Sequence, residues 1–439
     1  MSNTRPASLL AELSWRGLLH QTTAPAAELE AYLATPGRVA YCGFDPTSDS
    51  LTQGNFVALK LLMHWQRAGH TPIVLMGGGT GLIGDPSGKD AERQLLTREQ
   101  IEANVAGQHR IYERLLDFDP RRPNRAILVN NADWLAKLGY IEVLRDVGKH
   151  FSVNAMIQKE SVRARLEQRE QGISYTEFSY MLLQAYDFLH LRRTLNCTVQ
   201  MAGSDQYGNI VAGIDLIRRQ LGAGPDGRVE AYGITAPLLT RGDGKKIGKT
   251  EQGSIWLSPE RTSPYAFYQY WINAEDADVI AFLKWFTFLD ADAIAAIEAE
   301  HAAAPQQRAA QRRLAAELTA LVHGDAERAR VELASRALFD GDVRSLDAAS
   351  LDEVFADVPH STHARSLLDG EGASLVDLLP QTSLAASKRE AREFLGSGAV
   401  AVNGERAAAD RRLTTGDLLH GRRILLRRGK RNWHATEWQ

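Results

Sequence analysis

Two lysines, Lys246 and Lys249, fall in the run Leu-Leu-Thr-Arg-Gly-Asp-Gly-Lys-Lys-Ile-Gly-Lys-Thr from Leu238 to Thr250. Its glycines at 242, 244 and 248 predict a freely moving loop. Lysines on such a loop can close on a polyphosphate and stabilise charge that shifts between its oxygens in a transition state. Far upstream, Gly43-Phe44-Asp45-Pro46-Thr47 leads into Thr52-Gln53-Gly54-Asn55. A glycine at a strand-to-helix turn lets a polyphosphate approach the backbone and a helix N-terminus. Together the two stretches predict chemistry that activates a substrate with a nucleotide.

Other polar residues suit a small substrate. Tyr180, Gln184 and Asp187 stand at i, i+4 and i+7, on one helix face. Phe178, Met181, Leu182, Leu183 and Phe188 make that helix apolar nearly all round, so the polar face is read as buried, and buried polar groups need partners. An amino-acid substrate would supply them. Asp205 and Gln206 follow the apolar run Thr198–Met201, the place where ligands sit in open parallel sheets. Lys89 and Arg93, after a glycine turn, fit a solvated helix start and a nucleotide contact equally.

The elements that must position these residues follow from periodicity. Val39–Phe44, Ile73–Met76, Ala126–Val129, Thr198–Met201 and Gly233–Leu239 read as buried strands, with helical spacing at 56–68 and 210–221 between them. Strand, helix, strand with glycine turns predicts a Rossmann-type, doubly wound parallel α/β sheet. Residues 134–195 read as mostly helical, as does the stretch from Ser263 to about Leu338. The last part holds a helix, the run Ala399–Val402, an Asn403-Gly404 hairpin signal and a strand at Arg423–Leu426.

Composition bounds the class. The chain has 439 residues, 44% of them hydrophobic and 24% charged, enough for two or three domains with a sizeable core. Net charge is −3, yet the stretch from Gln381 onward has 12 Lys and Arg against 6 Asp and Glu. A basic end on an acidic body predicts a local polyanion contact. Lys388, Arg389 and Arg392 on one short helix, and Arg218 and Arg219 on the helix after Asp205, are the candidates for nucleic-acid phosphates. Trp433 and Trp438 are expected to close the small core. The two cysteines show no metal-binding or redox spacing, and no secretory signal or membrane-spanning stretch is read, which predicts a cytoplasmic protein with no protein-bound metal.

Four separated motifs carry a resemblance. Tyr41-Cys42-Gly43-Phe44-Asp45-Pro46-Thr47, Gly81-Leu82-Ile83-Gly84-Asp85-Pro86-Ser87-Gly88-Lys89, the segment from Phe178 to Asp187, and Gly203-Ser204-Asp205-Gln206 resemble the bacterial tyrosyl-tRNA synthetases, in the same order. The basic end resembles a small RNA-binding module shared with a ribosomal small-subunit protein and pseudouridine synthases. The resemblance implies that Asp187 and Tyr41 hydrogen-bond the tyrosine hydroxyl, and that Tyr180, Gln184, Asp85 and Asn131 hold the α-ammonium. It places Gln206 at the substrate carboxyl, Asp205 at the ribose, and Gly43, Asp45, Gly54, Asn55, Gly203, Lys89 and Arg93 around ATP. A site built to pair a hydroxyl rejects the analogue lacking it, a rule for which tyrosine-activating enzymes are themselves the standing example. One signature departs from the family. Where histidine, any residue, glycine, histidine is usual, this chain has Thr52-Gln53-Gly54-Asn55, which donates hydrogen bonds but carries no cation. A similar spelling occurs in the related tryptophanyl enzymes, so it reads as a permitted variant.

The resemblance implies an ATP- and Mg²⁺-dependent tyrosine–tRNA ligase acting on L-tyrosine and tRNA(Tyr) as a homodimer. Thr47, Thr52, Gly54 and Asn55 would hold one side of the reacting phosphate, with Lys246, Lys249 and Thr250 closing from the other. Expected domains are a catalytic domain at 1–250 with a dimer-interface insertion at about 130–195, an α-helical anticodon-side domain at 251–340, a linker at 341–378 and a C-terminal α+β RNA-binding domain at 379–439. Two other readings compete. An adenylating enzyme without tRNA transfer is disfavoured by the basic end, and an RNA-binding protein on a dead scaffold by the retained lysines and Asp187. Tryptophan as substrate is raised by the Thr-x-Gly-Asn spelling, but Asp187 and Tyr41 suit a hydroxyl.

Overall fold

The structure is a computed structural model that describes residues 8–84, 96–158, 162–163, 173–223, 229–238, 240, 247, 249–250, 253–356, 358–429 and 432–439. Asp85, Lys89, Arg93, Lys246 and Gly248 lie outside the described residues, and of Lys249 and Thr250 only the backbone is described.

The larger sheet is built from β1 (Gln21–Thr22), β2 (Val39–Phe44), β3 (Thr71–Met76), β4 (Ile127–Asn130), β5 (Val199–Gly203) and β6 (Tyr232–Ala236), in the order β1-β6-β5-β2-β3-β4. All neighbours run parallel except the edge pair β1–β6. The near-continuous apolar runs of β2, β3 and β6 are what strands covered on both faces require. The chain winds from β2 outward to β4, then returns to β5 on the other side of β2. That reversal is a topological switch point, and the crevice outside the strand ends there is the default ligand site.

The helices of this part are α1 (Leu9–Trp15), α2 (Ala26–Leu33), α3 (Gln53–Arg67), α4 (Arg98–Leu115), the short α5 (Ala132–Leu135), α6 (Tyr140–Glu142) and α7 (Val153–Ile157), then α8 (Tyr175–Leu195) and α9 (Tyr207–Leu221). Helix α3 packs on β2, β3 and β5. Met181, Ala185 and Phe188 of α8 and Ala212 and Leu216 of α9 share a core with Tyr41, Ile73 and Leu75 of the sheet. Burying a side chain such as Phe188 contributes roughly 1.5–3 kcal/mol, so α8 is fixed by its apolar faces and its polar face is carried with them. Five further helices follow: α10 (Pro264–Ile272), α11 (Val279–Phe286), α12 (Ala291–Ala303), α13 (Ala309–His323) and α14 (Asp325–Asp340). No helix among the described residues is long and apolar enough to cross a membrane.

The chain forms two compact units, one of Met1–Thr262 with Tyr270–Leu318 and one of Ser263–Gln269 with Thr319–Gln439. The division falls inside α10 and α13, so the expected helical domain at 251–340 is split between them. Helix α14 shares a core with the end of the chain: Ala334 and Ala337 pack with Leu419, Leu425 and Ala435.

The stretch 341–378 is not a linker. It contains α15 (Ala348–Val354), β9 (His360–His363), β10 (Ala373–Ser374) and α16 (Leu375–Leu378). The next elements are α17 (Lys388–Gly396), β11 (Val400–Val402), β12 (Glu405–Arg406), β13 (Arg412–Leu413), β14 (Arg423–Arg428) and β15 (Asn432–Trp438). Strand β9 lies parallel on β15, completing the sheet β12-β11-β14-β15-β9, and β10 pairs with β13. Leu368, Leu375 and Leu378 join Leu395, Leu426 and Trp438 in one core. The sequence hid this because His-Ser-Thr-His has no apolar alternation and the leucines are spread over elements too short to show a period. The hairpin signal at Asn403-Gly404 is met: Val402 pairs with Glu405, and the two turn residues have φ of 47° and 89°. A Cβ on Gly404 would fall 1.5 Å from the carbonyl oxygen of Gly341, so glycine also lets this turn rest on the end of α14.

Candidate active site

A cleft of about 550 Å³ opens at the switch point, a size suited to small-molecule substrates. The end of β2 brings Tyr41, Gly43, Asp45 and Thr47 to it, and the start of α3 brings Thr52, Gly54 and Asn55. Helix α8 presents Tyr180, Gln184 and Asp187, the turn after β5 presents Gly203, Asp205 and Gln206, and Asn131 arrives from the end of β4. Residues read from four separate motifs therefore meet in one place.

Asp187 forms its floor. It is 1% exposed. One carboxylate oxygen accepts from Trp134 Nε1 at 2.8 Å and the other from Asn131 Nδ2 at 2.9 Å. Burial pushes this carboxyl up to about 7, opposed by those two hydrogen bonds and aided by the charge of Asp45. The Tyr41 ring packs on Phe188 at 5.4 Å, and its buried hydroxyl has no hydrogen-bond partner among the described residues. Burial first, then Asp187, hold that phenol well above its ordinary pKa, so it stays a neutral donor and acceptor. Cys42, next along β2, is pushed up to about 12 by burial, which leaves a neutral thiol rather than a nucleophile.

The opposite wall is an ordered polar chain. The Tyr180 hydroxyl donates to one oxygen of Asp45 at 3.1 Å, and Thr80 donates to the other at 2.9 Å. Gly77 permits this approach, since a Cβ there would fall 2.3 Å from the Asp45 carboxylate. Gln184 donates to Gln206 at 3.2 Å, and Asn209 Nδ2 donates to the side-chain oxygens of both at 3.0 Å.

At the first signature, Asn55 Oδ1 accepts from the backbone N–H of Thr52 at 3.1 Å and from its hydroxyl at 2.8 Å. Thr52 thus holds the Asn55 amide by its oxygen and leaves the Nδ2 donors turned away from the pair. Of the second signature, the backbone of Lys249–Thr250 (β7) pairs with Gly253–Ser254 (β8). The chain then runs antiparallel beside the first signature, through a Thr52–Trp256 bridge and a Leu257 N–H donating to Leu51 O at 2.9 Å.

Sequence reasoning missed Trp134, Thr80 and Asn209. Trp134 and Asn209 stand three residues after Asn131 and Gln206, a helical spacing that offered the only hint. Asn131, read as an ammonium ligand, instead spends its amide inside the protein: its oxygen accepts from Gly79 N–H at 2.7 Å while its nitrogen donates to Asp187 and Thr80. Its place is bracing Asp187. Of the residues read as tRNA contacts, Arg218 and Arg219 both pair with Asp215, and Lys388 pairs with Asp377 at 2.6 Å. Arg389 and Arg392 are exposed and make no hydrogen bond or ion pair among the described residues.

A mostly parallel sheet with its cleft at the switch point, lined by the Thr52–Asn55 turn and by the polar residues of β2 and α8, is the architecture of a class I aminoacyl-tRNA synthetase. The family described as tRNA synthetases class I (W and Y) matches residues 36–340, and the tyrosine–tRNA ligase SYY-like C-terminal domain matches 350–436. The tyrosine–tRNA ligase of Roseiflexus castenholzii is 49% identical over 97% of this chain and 98% of its own length, and that of Opitutus terrae 50% identical over 98% and 99%. A C-terminally truncated mitochondrial tyrosyl-tRNA synthetase from Aspergillus nidulans superimposes with a TM-score of 0.68 at 30% identity, covering 77% of this chain and 95% of that one. The chain belongs to the tyrosine–tRNA ligases.

Proposed function

We propose that the chain activates L-tyrosine by attack of its carboxylate on the α-phosphorus of Mg²⁺-bound ATP, with pyrophosphate leaving, and then passes the tyrosyl group to the terminal adenosine of tRNA(Tyr). The observation that carries the substrate reading is the pairing of a buried Tyr41 hydroxyl, without a partner among the described residues, with a buried Asp187 already held by two donors. A phenol hydroxyl completes both: it gives Asp187 a third donor and Tyr41 a partner. The Tyr180–Asp45 and Gln184–Gln206–Asn209 chains suit the ammonium and carboxylate at the other end of the amino acid.

The attacking carboxylate is already a nucleophile, so no general base is required. Catalysis reduces to positioning and to stabilising charge on the reacting phosphate. Asn55, held by Thr52, offers its amide donors from one side, and Thr47 and Gly54 shape the approach. Lys246, Lys249 and Thr250 act from the other side. Asp205 would take the ribose.

The segment around 140–175 exposes Tyr140, Ile141, Leu144, Val153, Ile157 and Tyr175, apolar surface of the kind that a second copy covers in a homodimer. Two buried, unbridged cysteines fit a reducing cytoplasm. The exposed pair Arg389 and Arg392 suits an RNA backbone. The deciding experiment is ATP–pyrophosphate exchange with each standard amino acid: tyrosine is expected to support it alone, and faster exchange with tryptophan overturns the substrate reading.

A further inference from the structure

Helix α3, which opens with the first signature, carries a polar stripe, buried except at Arg67, on a face that the chemistry above does not use. Gln53, Lys60, His64 and Arg67 stand at i, i+7, i+11 and i+14, on one side of the helix. Gln53 and Lys60 are fully buried and His64 nearly so. This face meets α11 and the residues that end it. Phe56 stacks on Phe286 at 5.7 Å. The Lys60 ammonium lies 3.0 Å from the centre of the Phe288 ring and donates to Thr287 O at 3.4 Å. His64 meets the same ring edge-on at 5.0 Å, and Arg67 lies over it at 4.4 Å.

A buried lysine works against stability. Burial, with Arg16 and Arg67 nearby, pulls its pKa well below the ordinary value, and Glu12 only partly opposes this. The carbonyl it meets has another donor, because Arg16 reaches Thr287 O at 3.1 Å as well as Lys284 O at 2.9 Å and Leu289 O at 2.8 Å. Replacing a buried charge by an apolar side chain of similar volume is often neutral or stabilising. What the lysine supplies is direction. Leu59, Leu61 and Leu62 bury α3 through apolar contacts, which are non-directional. The Lys60 contacts define one seat against the residues that end α11. Separately, Trp256 bridges Thr52 and the Leu257 N–H donates to Leu51 O, so the chain entering α3 is also held ahead of the helix.

We infer that Lys60 is a positioning residue: it ties the helix bearing Thr52–Asn55 to the residues that end α11, and so holds the first signature in place at the cleft. The inference rests on the first signature meeting the ATP, as proposed above. The test uses full-length Lys60→Met and Phe288→Leu, measuring Tm together with kcat and tyrosine KM in ATP–pyrophosphate exchange. Lys60→Met is expected to keep or raise Tm and leave tyrosine KM unchanged, while kcat falls about tenfold, because a displaced signature is felt where charge develops. Phe288→Leu keeps the lysine but removes its seat, so it should show the same loss of kcat, and it decides the matter if Lys60→Met does not fold. A kcat within about twofold of wild type in both variants overturns the inference. So does a kcat that falls only in step with Tm and a rising KM, the mark of general loss of fold. Wild-type protein that fails to exchange pyrophosphate with tyrosine would sink the underlying reading of the first signature instead, whatever Lys60 does.

Discussion

Under the proposed function, one buried residue, Asp187, would set both specificity and pH response. Its carboxyl stands at about 7 against an ordinary value of about 3.9 in an unfolded chain. A third hydrogen bond, from the tyrosine hydroxyl, needs the ionised acceptor. Tyrosine affinity measured by fluorescence titration is therefore expected to fall as pH drops through about 7. Stability moves the other way. A raised folded-state pKa leaves stability intact below the unfolded value and loses it as pH rises through the folded one. Asp187→Asn should thus gain more in Tm over wild type at pH 8 than at pH 5, and equal gains at both would contradict the shift. Trp134→Phe removes one donor to this carboxylate. A hydrogen bond to a charged group is worth about 1.5–3 kcal/mol, so tyrosine KM should rise roughly ten- to a hundredfold while ATP KM holds.

Helix α3 concentrates the chemistry of an element at its first turn. The motif Thr52-x-Gly54-Asn55 departs from the histidines usual in the family; Asn55 Oδ1 accepts from the backbone and the hydroxyl of Thr52, from which we propose that threonine steers asparagine. Thr52→Ala should slow adenylate formation by about tenfold through lost orientation. Asn55→Asp should be worse, at about a hundredfold or more, because it removes the donors and sets a negative charge toward a polyphosphate. Pre-steady-state adenylate formation separates the two, and equal effects would dissolve the division of roles. That Thr52 and Asn55 share a turn was legible in their spacing. Their mutual hydrogen bond was not, since it depends on rotamers that only the folded turn selects.

At the scale of the molecule, the acidic stretch before α17 is part of the C-terminal unit, and this changes what a truncation means. Removing residues 376–439 would strip β9 of β15 and expose Leu368, Leu375 and the Ala334–Ala337 face of α14. The expected product self-associates on size-exclusion chromatography and binds ANS, whereas a monodisperse product that still charges tRNA would restore the linker. The role of the basic end is better tested by point changes. Its arginines are largely spent inside the unit: Arg411 on Asp417, Arg412 on Gly372 O, Arg422 on Asp352, Arg423 on Glu437. Replacing Arg389 and Arg392 with alanine should leave pyrophosphate exchange unchanged, weaken tRNA binding and lower the slope of log affinity against log salt by about 2. An unchanged slope would move the RNA contact elsewhere.

The sequence by itself determined the parallel sheet and the burial of Tyr180 and Asp187, because each is local: an apolar run, a helical period. Only the tertiary structure decided that Asn131 and Trp134 brace Asp187, that Asn209 ties Gln184 to Gln206, that Lys60 lies under Phe288, and that His360–His363 completes a sheet. Those pairings join residues far apart along the chain or set by side-chain rotamers, and no period in the sequence encodes which distant group a buried donor will meet.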